Sequence, residues 1–106
     1  MKDNVVKDKS LEFAVRIVNL YKFLVNEQKE FVMSKQILRS GTSIGANIRE
    51  AEQAQSRADF INKLNIALKE ANETEYWLEL LIRTEYITRE QYESINNCLL
   101  YTSDAA

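Results

Sequence analysis

The chain has 106 residues and a net charge of −2, from 14 basic and 16 acidic side chains. It contains 2 Gly, no Pro, no His and 1 Cys, whereas average usage gives about 7 Gly and 5 Pro in this length. The scarcity of turn residues argues against all-β and Rossmann-type folds. The lack of His removes the commonest general base and metal ligand. One helical domain is expected, and the single Cys98 favours a reducing cytoplasm because it cannot form an internal disulfide.

The sequence shows no targeting segment and no membrane span. Residues 1–10 lack the apolar core of a signal peptide, and no run approaches the roughly 18 apolar residues of a membrane helix. Residues 1–53 carry 9 basic and 7 acidic side chains, a net +2, and residues 54–106 carry 5 and 9, a net −4. Nucleic-acid binding is therefore not supported by net charge. We expect a soluble cytoplasmic protein.

The first predicted helix follows a disordered tail at residues 1–9 and begins with Ser10 as its N-cap. Its apolar residues form two adjacent stripes, which together are broader than one neighbouring helix can cover. The stripes are Phe13, Ile17, Leu20 and Leu24, and Ala14, Val18, Tyr21 and Val25, widened by Leu11 and Val15. The surplus predicts contact with a second subunit, and the candidate residues are Phe13, Ile17 and Leu20.

The second predicted helix starts at Ser34, with Met33 and Leu38 as a hydrophobic staple. Its apolar seam is Ile37, Gly41, Ile44, Ile48 and Ala51. Gly41 and Gly45 lie one turn apart within this helix. They indicate either a helix break or the close approach of another helix, and the unshifted apolar period favours the close approach.

The third predicted helix starts at Ser56, which forms a capping signature with Asp59. The stretch 76–82 is apolar nearly all round. Such a stretch lies either in the middle of a large core or between subunits, and four helices leave little room for the former. Tyr76, Trp77 and Leu80 are therefore further candidates for an oligomer surface.

The fourth predicted helix starts with a capping box of Thr88 and Gln91 and a staple of Ile87 and Tyr92. It fades near Leu100, which makes it about 13 residues long, whereas the second and third helices have at least about 20 residues each. Residues 101–106 are expected to be an unstructured tail, as in a truncated chain. The predicted fold is an all-α up-down bundle over residues 10–100 with a short fourth helix.

The polar groups most open to a chemical interpretation have structural explanations as well. Ser40, Thr42 and Ser43 are small residues suited to tight helix contact, and no His activates them. The glutamates of the third helix are interpreted as a solvated acidic face; they are Glu70, Glu73, Glu75 and Glu79. Arg39, Asn47 and Glu50 share one side of the second helix. They indicate either a polar network that fixes subunit register or a contact to a ligand or RNA.

Segment 34–51, SKQILRSGTSIGANIREA, resembles the signature of the 23S rRNA intervening-sequence proteins. The matching positions are Ser34, Gln36, Arg39, Ser43, Ile44, Asn47, Ile48 and Glu50. The third helix is similar too, at Phe60, Leu64, Ala67, Glu70, Glu73 and Leu78, and so is the turn Glu85, Tyr86 and Ile87. The resemblance covers residues 11–100.

The resemblance implies a four-helix bundle that forms a ring-shaped homo-oligomer, with five subunits as the leading expectation. Similar proteins accompany diversity-generating retroelements, where a basic surface contacts nucleic acid and the reverse transcriptase. This chain lacks that strongly basic surface, and its fourth helix ends about fifteen residues earlier than the family pattern. The signature and the two glycines define the candidate interface, which consists of Gln36, Arg39, Gly41, Ser43, Gly45, Asn47 and Glu50.

The function expected from the sequence is that of a non-enzymatic oligomeric scaffold. The alternative is a nucleic-acid-binding accessory protein that contacts RNA or a reverse transcriptase complex. No catalytic residue, metal site, cofactor, membrane contact or small-molecule substrate is predicted.

Overall fold

Four consecutive α-helices make up the part of the chain that the structure describes. The structure, a computed structural model, describes residues 2–105 and the side chains of residues 5–100. The helices are α1 (Lys2–Asn26), α2 (Met33–Glu52), α3 (Arg57–Arg83) and α4 (Arg89–Ala105). Helix α2 contacts both α1 and α3, and so does α4. The four helices therefore form an up-down bundle that measures 43 × 22 × 19 Å along its principal axes. The predicted fold class is confirmed, and α4 is the shortest of the four helices.

The core is formed by one apolar stripe from each helix. Its fully buried members include Phe13, Ile17, Leu24, Ile37, Leu78 and Leu81. Phe13, Ile17 and Leu20 were expected on the oligomer surface, and this expectation is wrong, because all three face the centre of the bundle. The second stripe of α1 faces outward instead.

The start of α1 also differs from the expectation. The helix begins at Lys2, so residues 2–9 are helical where a disordered tail was predicted. Ser10 is not an N-cap: it is buried within the helix, and its hydroxyl donates a hydrogen bond to the carbonyl of Lys7. An ion pair between Lys7 and Glu52 links this first part of α1 to the end of α2. Packing on α2 therefore extends α1 beyond the local start signal.

The cap of α2 comes from a buried glutamate upstream of the helix. The Glu30 carboxylate accepts hydrogen bonds from the backbone N–H groups of Val32, Met33 and Ser34, at 3.2, 3.0 and 2.7 Å. Ser34, the predicted N-cap, lies inside the helix, and its buried hydroxyl forms no hydrogen bond with any described residue. The predicted staple residues Met33 and Leu38 do pack against the core.

The caps of α3 and α4 follow the sequence signals. Ser56 accepts the backbone N–H of Asp59 at 3.1 Å. Thr88 and Gln91 form the predicted reciprocal box, with each backbone N–H donating to the other side chain at 2.8 and 3.1 Å. Beyond Leu100, α4 continues to Ala105, so the predicted unstructured tail is helical there. The sequence offers no Gly or Pro after Leu100 to stop the helix.

The two glycines of α2 allow α1 to approach closely, and α2 is unbroken at both. A Cβ atom at Gly41 would lie 2.8 Å from Cγ1 and 2.9 Å from Cγ2 of Ile17. A Cβ atom at Gly45 would lie 3.2 Å from the hydroxyl oxygen of Ser10. The predicted close approach is present, and the approaching helix belongs to the same chain.

Candidate interaction surfaces

Two charged residues of the α2 signature, Arg39 and Glu50, face α3. With their partners Glu70, Glu73 and Lys63 they form what we call the polar seam. Arg39 forms ion pairs with Glu70, at 3.3 Å, and with Glu73. About three turns further along, Glu50 pairs with Lys63 at 2.8 Å. Arg39 and Glu50 thus bind α3 of their own chain, and Glu70 and Glu73 are engaged in ion pairs, not in a purely solvated acidic face.

Electrostatics at the polar seam favour the ionised groups. Hydrogen bonds from the Trp77 indole, with Nε1 3.0 Å from Oε2, and from Arg39 hold the pKa of the Glu73 carboxyl below its usual range. The same contact with Glu73 raises the pKa of the Arg39 guanidinium. The hydrogen bond to Glu50 raises the pKa of the Lys63 amine. These contacts stabilise the ionised forms of Glu73, Arg39 and Lys63.

The hydroxyl groups near the polar seam have structural partners. The buried hydroxyls of Ser40 and Thr74 are hydrogen-bonded between α2 and α3 at 2.9 Å. Thr42 and Ser43 donate to carbonyls one turn back in α2, at 2.7 and 2.6 Å. This agrees with their interpretation as small residues that permit tight packing.

The remaining signature residues divide between local bonding and solvent. The side-chain amide of Asn47 donates to the Ser43 carbonyl in its own helix, at 2.8 Å. Gln36 is exposed. The signature therefore brings Arg39 and Glu50 into one row of contacts with α3, whereas Asn47 and Gln36 do not take part in it.

The outer stripe of α1 is an apolar surface that faces away from the core. We use this name for Leu11, Ala14, Val15, Val18, Tyr21 and Val25. Leu11 is 50% exposed and Val15 is 54% exposed, and the other four members are half-buried. Apolar residues in heptad-like spacing that face away from the core are typical of helix–helix interfaces. On the inward side of α1, Ile17 lies against Gly41, a contact between helices that the residues of α1 do not reveal by themselves.

The apolar stretch of α3 separates into core and surface residues. Leu78 and Leu81 are fully buried, whereas Tyr76 is 58% exposed. Trp77 and Leu80 are half-buried, and the rings of Tyr76 and Trp77 meet edge to face with centroids 5.0 Å apart. Tyr76, Trp77 and Leu80 form a second, smaller surface that we call the aromatic patch.

The described residues form neither a metal site nor a membrane-spanning helix. Within the described residues, no three His, Cys, Asp or Glu side chains are grouped to hold a metal ion. No described helix has the length and apolar content needed to span a membrane. Cys98 is half-buried and packs against the core.

The fold and these surfaces define a class of protein, the small up-down helical bundle. In this bundle the polar seam joins α2 to α3, and α1 has an apolar outer stripe that the rest of the described chain does not cover. The sequence matches the family described as 23S rRNA-intervening sequence protein over residues 2–103. The chain belongs to this family.

A solved structure supports the assignment. A crystal structure of a protein with unknown function, from the S23 ribosomal protein family of Bacteroides thetaiotaomicron VPI-5482, is 92% identical to this chain. The match covers 99% of this chain and 94% of that chain, with a TM-score of 0.97. No curated protein matches the sequence significantly. Similarity thus establishes the family and the fold and leaves the function to be argued from the surfaces.

Proposed function

We propose that this protein is a non-enzymatic cytoplasmic scaffold that acts as a homo-oligomer of helical bundles. The observation that carries the proposal is the outer stripe of α1, in which Leu11 and Val15 are each about half exposed. Each Å² of apolar surface removed from water at an interface contributes about 25 cal/mol of favourable free energy to association. A continuous stripe of this kind is therefore best explained as an interface.

The distribution of charge supports association between unlike faces. The sequence up to residue 53, which contains α1 and α2, has a net charge of +2 (9 basic, 7 acidic), and the remainder has −4 (5 basic, 9 acidic). Opposite charges on the two hairpins favour contact between the first hairpin of one copy and the second hairpin of the next. Contacts between unlike faces close into rings when the rotation between copies allows it.

The partners of the signature residues support a structural role over a catalytic one. Arg39, Glu50, Glu70 and Glu73 are all engaged in ion pairs between α2 and α3. Such a network fixes the packing of two helices without preparing a nucleophile or a general base.

Light scattering coupled to size-exclusion chromatography tests the proposal. The chain mass is 12.3 kDa, and we expect a single species at a whole-number multiple of it, with five copies as the leading expectation from the family resemblance. A monodisperse, soluble monomer across micromolar concentrations would contradict the proposal.

A second candidate, an RNA-binding accessory role, has a separate observation in its favour. Four exposed cations on the first hairpin form no ion pair with any residue whose side chain is described; they are Lys22, Lys29, Lys35 and Arg49. Contacts with phosphates give affinity that falls steeply with salt. Gel shifts with a structured RNA at low and high salt test this candidate. Binding that weakens with salt and with Lys22→Glu/Lys35→Glu supports it, whereas no shift at low salt contradicts it.

A further inference from the structure

A groove between α1 and α4 has a volume of about 410 Å³. Its floor is formed by Leu20, Phe23 and Ile95, of which Phe23 is half-buried and the other two are buried. Ligand pockets in proteins have volumes of about 300–1,000 Å³ and are mostly apolar, with a few polar groups that fix the orientation of the ligand. The groove therefore has the size of a site for a small molecule with an apolar body.

Two side chains of opposite charge line this groove, Arg16 of α1 and Glu90 of α4. The Arg16 guanidinium donates to the Ser94 hydroxyl at 2.7 Å. Ser94 and Glu90 are four residues apart and are therefore neighbours on one face of α4. Even so, Arg16 and Glu90 form no ion pair with each other or with any other side chain that the structure describes. The groove thus holds a positive and a negative group about one helical turn apart.

The uncharged polar groups beside Arg16 are arranged as hydrogen-bond donors. The Gln91 side-chain oxygen accepts the backbone N–H and the hydroxyl of Thr88, at 2.8 and 3.3 Å, which leaves the amide NH₂ group to donate. The Ser94 oxygen accepts from Arg16, which leaves its O–H to donate. Together with the remaining N–H groups of Arg16, these donors match a carboxylate, which only accepts hydrogen bonds.

We propose that the groove binds a free amino acid with an aromatic side chain. The ligand carboxylate binds the Arg16 guanidinium and the Ser94 hydroxyl, the ammonium group lies towards Glu90, and the aromatic ring packs on Phe23. A zwitterion fits better than a simple ion, because Glu90 repels an anion and Arg16 repels a cation. This inference goes beyond the proposed function and does not depend on it, since no residue of the groove belongs to the outer stripe.

Three ligands with the same aromatic ring test the site in the wild-type chain. L-phenylalanine has both charges, phenylpropionate lacks the ammonium group and phenethylamine lacks the carboxylate. Titration followed by two-dimensional amide NMR should shift the side-chain amides of Asn19 and Gln91 and the backbone amide of Ser94. An open groove of this size binds weakly, so we expect a dissociation constant of the order of 1 mM for phenylalanine. Phenethylamine should bind about tenfold more weakly, and phenylpropionate about threefold more weakly.

Two variants assign each charge of the ligand to its partner. Arg16→Gln should weaken binding of phenylalanine about tenfold and should not weaken binding of phenethylamine, which has no carboxylate. Glu90→Gln should weaken binding of phenylalanine about threefold and should not weaken binding of phenylpropionate. The matched controls are Lys22→Gln on α1 and Glu93→Gln on α4, which remove exposed charges outside the lining of the groove. They should bind phenylalanine like the wild-type chain, and circular dichroism should show the same helix content in all five proteins.

Several results would overturn the proposal. Phenylalanine at about 10 mM, well above the expected dissociation constant, that shifts none of the three signals shows that the groove is not a site for it. Equal affinity for all three ligands shows that only the aromatic ring is recognised. Undiminished binding of phenylalanine by Arg16→Gln, or an equal loss in the two controls, removes the role of the charged pair. A monomeric wild-type chain that binds phenylalanine as described contradicts the proposed self-association and leaves this inference standing.

Discussion

Gly41 sets the distance between α1 and α2. Any side chain there would place a Cβ atom within 2.9 Å of two branch carbons of Ile17, which are themselves fully buried. Ala is favoured over Gly in a helix by about 1 kcal/mol, but overpacking a tight core costs about 1–3 kcal/mol. The steric cost is expected to exceed the gain in propensity.

Gly41→Ala should therefore lower the free energy of unfolding by about 1 kcal/mol, and Gly41→Leu should lower it further. Urea unfolding followed by circular dichroism measures this. Gly45→Ala is the control, because its Cβ atom would meet Ser10 at 3.2 Å and not at 2.8 Å. Combining Gly41→Ala with Ile17→Ala, which removes both branch carbons, should cost less than the sum of the single changes. An increase in stability for Gly41→Ala would show that α1 does not approach as closely as described.

Glu30 provides a second test at the residue scale. Because its buried carboxylate accepts three backbone N–H groups, Glu30→Ala should destabilise the fold by about 2 kcal/mol. The exposed neighbour Glu27 is the control, and Glu27→Ala should change little. Ser34→Ala should be nearly neutral, because its hydroxyl has no described partner. A larger loss of stability for Ser34→Ala than for Glu30→Ala would contradict this account and would show that Ser34 is the cap of α2.

The polar seam between α2 and α3 makes the packing of these helices depend on pH. The pKa of Glu73 is lowered in the folded state, so the ionised carboxylate contributes stability at neutral pH. That contribution is present above the ordinary glutamate pKa and is lost as the pH falls through the lowered one.

Trp77, the single tryptophan, reports this titration through its bond to Glu73. We expect its fluorescence to change with a midpoint below the ordinary glutamate value of about 4.3, while circular dichroism confirms that the helices persist. Glu73→Gln should abolish the transition, and Glu79→Gln should leave it in place. An unchanged titration in Glu73→Gln would show that Trp77 does not sense this carboxylate.

The accuracy of sequence-based prediction varied among the helices for physical reasons. The caps at Ser56 and Thr88 were predictable because each depends on residues within one turn. The cap of α2 was missed because Glu30 acts from outside the helix, where a glutamate is usually interpreted as a solvated charge. The sequence did contain one signal for this cap: the polar segment 26–30 ends in Glu30, three residues before the staple residue Met33.

The orientation of α1 could not be predicted from its own residues. Both of its stripes are apolar, and the inward side is the one on which Ile17 lies against Gly41 and Ser10 against Gly45. The candidate oligomer residues Phe13, Ile17 and Leu20 were assigned wrongly for this reason. In the α2 signature, helical spacing correctly placed Arg39 and Glu50 on one side, but their partners on α3 became clear only in the structure.

At the scale of the whole molecule, the folded chain leaves apolar surface on several sides. The outer stripe, the aromatic patch and the side chains of Phe31 and Val32 are all partly or largely exposed to solvent. Phe13, Ile17 and Leu78, in contrast, are fully buried in the core. A monomer would keep this surface in water. Self-association accounts for it without requiring any change in the fold.

The most direct test is the mass in solution of a variant with charges in the outer stripe. Leu11→Glu/Val15→Glu places two charges on the outer stripe at exposed positions, and Asn65→Glu/Asn72→Glu adds the same charge to exposed positions on α3. Sedimentation velocity should show oligomers for the wild type and the α3 control, and a folded monomer for the α1 variant. The same sedimentation coefficient for all three proteins would contradict the account.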